Sequence, residues 1–364
     1  MIKKRLWGLL LVLFIGLVSM SAWGASLKKG PYLQNAGKTS ITICWVTEEE
    51  GKGEVRYGKT KKLKEKIKEK KETKYHQVSL KKLTPSTEYF YQVVGKDYSS
   101  SVETFQTAPN NDEPFSFVVF GDTRSGHLIH QGIIQKIILK KPNLVINTGD
   151  LVGDGRKMED WDTFFNLSQP LMKRTPYYPM LGNHEHNSSI YFDLFSLPGN
   201  ERYYSFDYGN SHFVVLDSNA PFLESKEQHN WLREDLSSHQ DATFTFVFFH
   251  HPAYSTKEGR EWERKMVRLN FCPILEEFKV ALVFNGHDHT YHHYLVGGIH
   301  YLITAGGGAS LYKIGPPEEG LIKAESTHHF TLVSIKGKNL KIEAFYPNGS
   351  LLDSFTLVKP STGL

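Results

Sequence analysis

From residue 113 onward, short apolar runs alternate with segments of helical spacing. The runs 115–120, 144–147, 213–216, 243–249 and 281–284 are nearly continuous in Phe, Val, Leu and Ile, as in strands buried on both faces. Residues 127–141 carry Ile133, Ile134, Ile137 and Ile138 at helical intervals, and 228–236 and 267–278 also suit helices. Strand-like runs return at 301–304, 330–335, 340–345 and 350–358. Strands alternating with helices predict an α/β layered domain. Residues 25–109 read differently. The run 40–47 alternates around Ile41, Ile43 and Trp45, and 53–57, 88–94 and 102–107 are further short runs between turn residues. That pattern predicts a small all-β sandwich, with Ala108-Pro109-Asn110-Asn111-Asp112 as the linker to a domain over 110–364. Residues 59–74 are dense in Lys, but Glu65, Glu69 and Glu72 dilute the charge, so the segment reads as a solvated hairpin or loop.

The first 24 residues stand apart from both domains. Lys3, Lys4 and Arg5 precede an apolar run over 6–18, and Ala22-Trp23-Gly24 supplies small residues for cleavage before Ala25. This is the order of a secretory signal peptide, and the apolar run falls short of the roughly 20 residues a span needs. The expectation is an exported protein, periplasmic or secreted, with no stable membrane span after cleavage. The chain has a formal charge of +4 from 43 Lys+Arg and 39 Asp+Glu. Removing residues 1–24 takes away three cations and no acid, leaving +1. No nucleic-acid partner follows from so mild a balance. Export permits disulfides, yet Cys44 and Cys272 are far apart in different regions and are expected to be buried, unpaired thiols.

Of the 17 His, 16 follow the linker, and several sit where strands end. Run 115–120 leads into Gly121-Asp122, and run 144–147 leads through Thr148 into Gly149-Asp150. Run 243–249 ends in His250-His251, and 281–284 leads into Asn285-Gly286-His287-Asp288-His289. Gly182-Asn183-His184-Glu185 follows the apolar stretch 177–181. Ligands of open α/β sheets bind beyond the carboxyl ends of the strands, so these endings gather on one rim. They offer carboxylate, imidazole and amide oxygen without thiolate, which suits Mn, Fe or Zn. The donors are too many for one four-coordinate ion and fit two ions sharing a carboxylate.

With these motifs in order, the chain resembles the calcineurin-like metallophosphoesterases, specifically the purple acid phosphatase branch and its bacterial relatives. Gly30-Pro31-Tyr32-Leu33-Gln34, Trp45-Val46-Thr47, Val55-Arg56-Tyr57-Gly58 and Leu83-Thr84-Pro85 onward are similar to the fibronectin-type-III-like domain that precedes the catalytic domain in that branch. The resemblance implies two mixed β-sheets flanked by helices, a binuclear metal centre and phosphate-ester substrates. It implies Asp122 and His289 on the first metal, Asp150 bridging, and Asn183, His250 and His287 on the second. His184 would be the general acid, protonating the leaving oxygen after attack by metal-bound hydroxide. His251 would stand behind the ligands or face substrate.

Two positions depart from the pattern. Arg124 stands where the wider superfamily often has His, and Gly153 stands where the purple enzymes have a Tyr ligand. The expectation is therefore an enzyme that is not purple. Water, or His130 reaching back from its helix, would complete the first site. Arg124 is either a phosphate contact or an ion-pair partner. His186, His292, His293, His300, His328 and His329 read as surface loop residues. Two other readings remain open: a phosphodiesterase or nucleotide pyrophosphatase on the same site, and an envelope-binding protein with a degenerate metal domain. Substrate, metal identity and oligomeric state are not legible at this level.

Overall fold

A computed structural model describes residues 26–111 and 113–359. The leader expected over 1–24 lies outside the described residues. The N-terminal region is a β-sandwich. Strands Leu27–Gln34, Ser40–Gly51 and Thr73–Lys81 form one antiparallel sheet, and Glu65–Lys68, Glu54–Gly58, Glu88–Val94 and Glu103–Gln106 form the other. The Lys-rich segment makes a short hairpin strand, Glu65–Lys68, paired with Glu54–Gly58. Trp45 is fully buried and stacks on His76 with ring centroids 4.6 Å apart.

The following region is an α/β domain with two mixed sheets. In the six-stranded sheet, Tyr177–Pro179, Leu144–Asn147 and Phe115–Phe120 run parallel, and Phe330–Lys336, Asn339–Phe345 and Leu351–Val358 continue antiparallel. In the seven-stranded sheet, Ser211–Val215, Phe244–Phe248, Leu282–Asn285 and Ile299–Thr304 run parallel between antiparallel edges. Side chains alternate across this sheet, as the two-residue period of a strand requires. Phe213, Phe246, Phe248 and Phe284 face the other sheet, while Val214, Val247 and Val283 face the helices. Phe117 reaches from the six-stranded sheet into that aromatic layer, edge-on to Phe213 and Phe246 at 5.0 Å.

Helices His127–Lys140 and Met158–Met172 pack with the six-stranded sheet, and Lys226–Ser238, Glu261–Asn270 and Cys272–Glu277 cover the seven-stranded one. The single helix expected over 267–278 is two helices, separated at Phe271 and restarted with Pro in the first turn of the second. Helix Met158–Met172 escaped the sequence reading because it contains Pro170 and polar residues at many positions. It is also the platform on which the sandwich docks. Tyr32 packs on Phe165 at 4.9 Å, Gln169 donates to the Gly30 carbonyl at 2.6 Å, and Glu103 accepts from Lys173 and Arg174 at 2.9 and 2.8 Å. Cys44 and Cys272 are free and buried.

Several histidines assigned to surface loops are interior. His292 and His293 lie on strand Tyr291–Val296 and are buried, with His292 bonded to Thr256 and His293 to Asp353. His329 is fully buried. The strand was missed because His–His interrupts its apolar run. Among the described residues, no helix is long and apolar enough to cross a membrane.

Phe117 is the test of the intersheet layer. Phe117→Ala should cost about 3–5 kcal/mol of stability in urea denaturation, and Phe117→Leu distinctly less. A loss below about 1 kcal/mol for the Ala variant would mean that this layer does not hold the sheets together.

Candidate metal centre

The site forms where the two sheets present their carboxyl ends side by side. Asp122, Asp150 and Asn183 follow the three parallel strands of the six-stranded sheet. His250, His287 and His289 follow neighbouring parallel strands of the other. The structure brings all six together. Asn183 Oδ1 lies 3.1 Å from His250 Nε2 and 3.0 Å from His287 Nδ1. Asp150 Oδ1 is 3.3 Å from His250 Nε2, and Asp122 Oδ1 is 3.4 Å from His289 Nε2.

The backbone is bent to make this convergence. Asp122, Asp150 and His287 have φ of 56°, 53° and 71°, a left-handed region that costs a non-Gly residue about 1 kcal/mol or more. Gly182 and Gly286 permit the close approach. A Cβ on Gly182 would stand 2.3 Å from Asp150 Oδ1, and one on Gly286 would stand 2.5 Å from the Thr148 carbonyl oxygen. Glu185 locks the turns from beneath. It is fully buried and accepts from the amides of Asp150, Leu151 and Gly182 at 3.0, 2.8 and 2.7 Å. Burial, and then the charge of Asp150, pushes its carboxyl up to about 7.

Each histidine's outer nitrogen has an acceptor behind it, which fixes the inner one. His250 Nδ1 faces the Thr148 carbonyl at 2.7 Å, and His289 Nδ1 faces the Ser310 carbonyl at 2.6 Å. A carbonyl can only accept, so both Nδ1 atoms carry hydrogen and both Nε2 atoms turn inward. His287 Nε2 is 3.2 Å from the Glu263 carboxylate, leaving Nδ1 inward. Burial, followed by neighbouring His251 and His250, holds His287 well below the usual imidazole range. Burial opposes protonation of His250, but Asp150 and Asp122 outweigh it and raise its pKa. In their neutral forms these groups set lone pairs against lone pairs, and a cation at the centre reconciles them. The residues thus fit metal ions, and nitrogen and oxygen donors without sulfur suit Fe, Zn or Mn.

Asp150 turns its two oxygens to different neighbours. Oδ1 faces His250, while Oδ2 is 3.3 Å from Arg124 Nε and 3.8 Å from His184 Nε2. Arg124 also reaches His289 Nε2 at 3.2 Å, so its ion pair bridges a carboxylate and an imidazole of the cluster. His184 donates from its backbone to Asp150 Oδ1 at 3.0 Å, and its Nδ1 donates to the Gly153 carbonyl at 2.6 Å. That bond aims Nε2 at the centre. A side chain at 153 would meet Asp160 Oδ2 at 3.0 Å, so Asp160 crowds the position where the purple branch carries Tyr.

His130 does not join the cluster. It is buried on its helix face against Phe120 and Phe164, with Nε2 on Ser168 Oγ at 3.2 Å, and burial lowers its pKa to about 3. The apolar interior takes the ring that sequence spacing allowed to reach back. His251 lies beside the centre, 4.3 Å from the His287 ring, with Nδ1 on Ser218 Oγ at 2.9 Å. Burial and then His250 lower its pKa to about 3. Glu263 was not singled out in the sequence, and neither were Arg260, which donates to the His287 carbonyl, nor Tyr312, stacked on His289 at 4.3 Å. No local motif marks these three residues, which reach the site only through tertiary packing.

Fold and donor set together define a two-sheet scaffold built around hard or borderline metal ions. Comparison with known proteins agrees. Residues 115–291 match the family Calcineurin-like phosphoesterase, and residues 29–107 match Purple acid Phosphatase, N-terminal domain. Purple acid phosphatase 21 of Arabidopsis thaliana is 28% identical over 71% of this chain and 65% of its own length. Probable purple acid phosphatase 20 of the same plant is 26% identical over 83% of this chain and 80% of its own. A purple acid phosphatase structure from yellow lupin seeds superposes with a TM-score of 0.79 at 19% identity, covering 90% of this chain and 74% of that one. At that identity the superposition speaks for the fold. The chain carries a calcineurin-like phosphoesterase domain behind a purple acid phosphatase N-terminal domain, a pair that indicates a metal-dependent phosphoester hydrolase.

Glu263 gives this geometry a direct test. Carboxylates that orient a ligating His typically contribute 10–100-fold in metal affinity. Glu263→Ala should weaken one of two metal-binding steps by about that factor in competition titration against a chelator. Unchanged affinity would mean that His287 is not oriented from behind.

Proposed function

We propose that the chain is an exported two-metal phosphoesterase that hydrolyses small phosphate esters. The observation that carries this reading is the convergence of Asp122, Asp150, Asn183, His250, His287 and His289 from two sheets onto one centre. Asp150, with a carboxylate oxygen within 4.8 Å of ligand atoms of both Asp122 and His250, would be the bridging group. Asp122 and His289 would hold one ion, and Asn183, His250 and His287 the other. Export rests on residues 1–24 as a sequence pattern alone. When bound, two such ions lower the pKa of a water and neutralise phosphate oxygens.

The chain's own residues supply position and protons. Thr148, Ser310 and Glu263 hold the three imidazoles in their tautomers. Arg124 presents a planar fork beside Asp150, placed to take a phosphate oxygen. His184 Nε2 gives a proton to the departing ester oxygen as the P–O bond to it breaks. A water oxygen forms the new bond to phosphorus, and its proton leaves to solvent. Phosphoryl transfer asks little covalent chemistry of a protein, so placement and charge dominate. The convergence of six donors and an aimed His184 favours an active enzyme over a degenerate binding domain.

Replacement of His184 separates the acid from the ligands. His184→Ala should retain the metals, lose about 10²–10⁴-fold in kcat on alkyl phosphates, and lose much less on an activated aryl phosphate. Equal losses on both substrates would remove the acid role. Full turnover after exhaustive chelation would remove the metal reading altogether.

A further inference from the structure

Beside the proposed second-metal ligands lies a cavity of about 660 Å³, within the range that holds small organic ligands. Asn183, His251 and Glu263 line it, so it is continuous with the position where the phosphate would sit. His186, whose ring centroid lies 6.2 Å from that of His184, also lines it. Its apolar wall comes from Phe222, Leu223, Trp262 and Met266, and its polar portion includes Arg202, Asp217 and Glu224. Trp262 is 70% exposed on helix Glu261–Asn270. An indole so exposed does nothing for the core, and here it stands at a cavity that borders the reacting centre.

The one Arg of the cavity is already paired, and Glu224 adds a further carboxylate to the lining. Arg202 is paired with the buried Asp217 at 2.8 Å, and its guanidinium lies 3.8 Å from the centre of the Phe222 ring. Glu263 is engaged with His287, and His186 stands 3.9 Å from Asp154. No Lys lines the cavity among the described residues. A second phosphate would therefore enter without a free cation to meet it, at the cost of desolvating its charge. An aromatic ring would instead bury apolar surface against Phe222 and Trp262.

We propose that this cavity is the leaving-group subsite and that it selects phosphate esters of uncharged aromatic alcohols over nucleoside polyphosphates and small alkyl phosphates. The inference rests on the phosphoesterase reading of the adjoining centre. Steady-state kinetics on the metal-loaded full chain would compare 2-phenylethyl phosphate with ethyl phosphate, whose leaving alcohols differ little in acidity. The phenylethyl ester should show a kcat/KM at least about tenfold higher, the usual return on burying a ring. Trp262→Ala should bring the ratio close to one. Equal kcat/KM values in the unsubstituted protein overturn the proposal, as does a ratio untouched by both Trp262→Ala and Phe222→Ala. If neither ester turns over, the hydrolase reading fails on its own, and binding still decides the cavity. Quenching of tryptophan fluorescence by 3-phenylpropylphosphonate at concentrations where propylphosphonate has no effect would support the subsite, and equal affinity for the two would overturn it.

Discussion

Two buried carboxylates, an amide oxygen and three imidazole nitrogens converge in pairs 3.0–3.4 Å apart. Like groups with lone pairs repel, and burial removes the water that would screen them. The surrounding structure keeps them there. Three of the residues hold left-handed backbone, Glu185 pins the loops through three amides, and carbonyls or a carboxylate stand behind each imidazole. Strain of this kind persists only where the fold over-determines it, and it gathers at functional sites. The intersheet Phe layer is part of that determination, because it sets the two rows of strand ends beside each other.

The ligands were legible in the sequence because of this same constraint. Buried parallel strands are apolar to their last residue, so a polar group at the end stands out sharply. Asp122, Asp150, His250 and His287 all announce themselves in this way. The flanking groups do not. Glu263 is one acid among several on the polar helix Glu261–Asn270, and only the packing of that helix brings it to His287. His130 shows the opposite failure. Its spacing from Asp122 permitted a ligand, but helix His127–Lys140 turns the ring into the aromatic interior. The excess of His likewise divides in two. His292 and His293 are buried on strand Tyr291–Val296, and His329 is buried in the segment just before strand Phe330–Lys336.

The region around the centre divides into a polar and an apolar half. Arg124 and His184 approach Asp150 from one side, where the proposed mechanism asks for charge on the phosphate and a proton on the leaving oxygen. The cavity of Phe222 and Trp262 adjoins the ligands of the proposed second ion, and its one Arg is engaged with Asp217. Chemistry common to the fold class thus sits on the strand ends, and the proposed selectivity sits on residues 217–224 and on helix Glu261–Asn270, which also carries Glu263 behind His287.

The central claim is that Asp150 joins two ions held between the sheets. Anomalous diffraction from crystals of the purified, metal-loaded chain measures this directly. The account predicts two ions about 3.5–4 Å apart, both held by the Asp150 carboxylate, with Asn183, His250 and His287 around one and Asp122 and His289 around the other. A single ion, or two ions that Asp150 does not bridge, would contradict it.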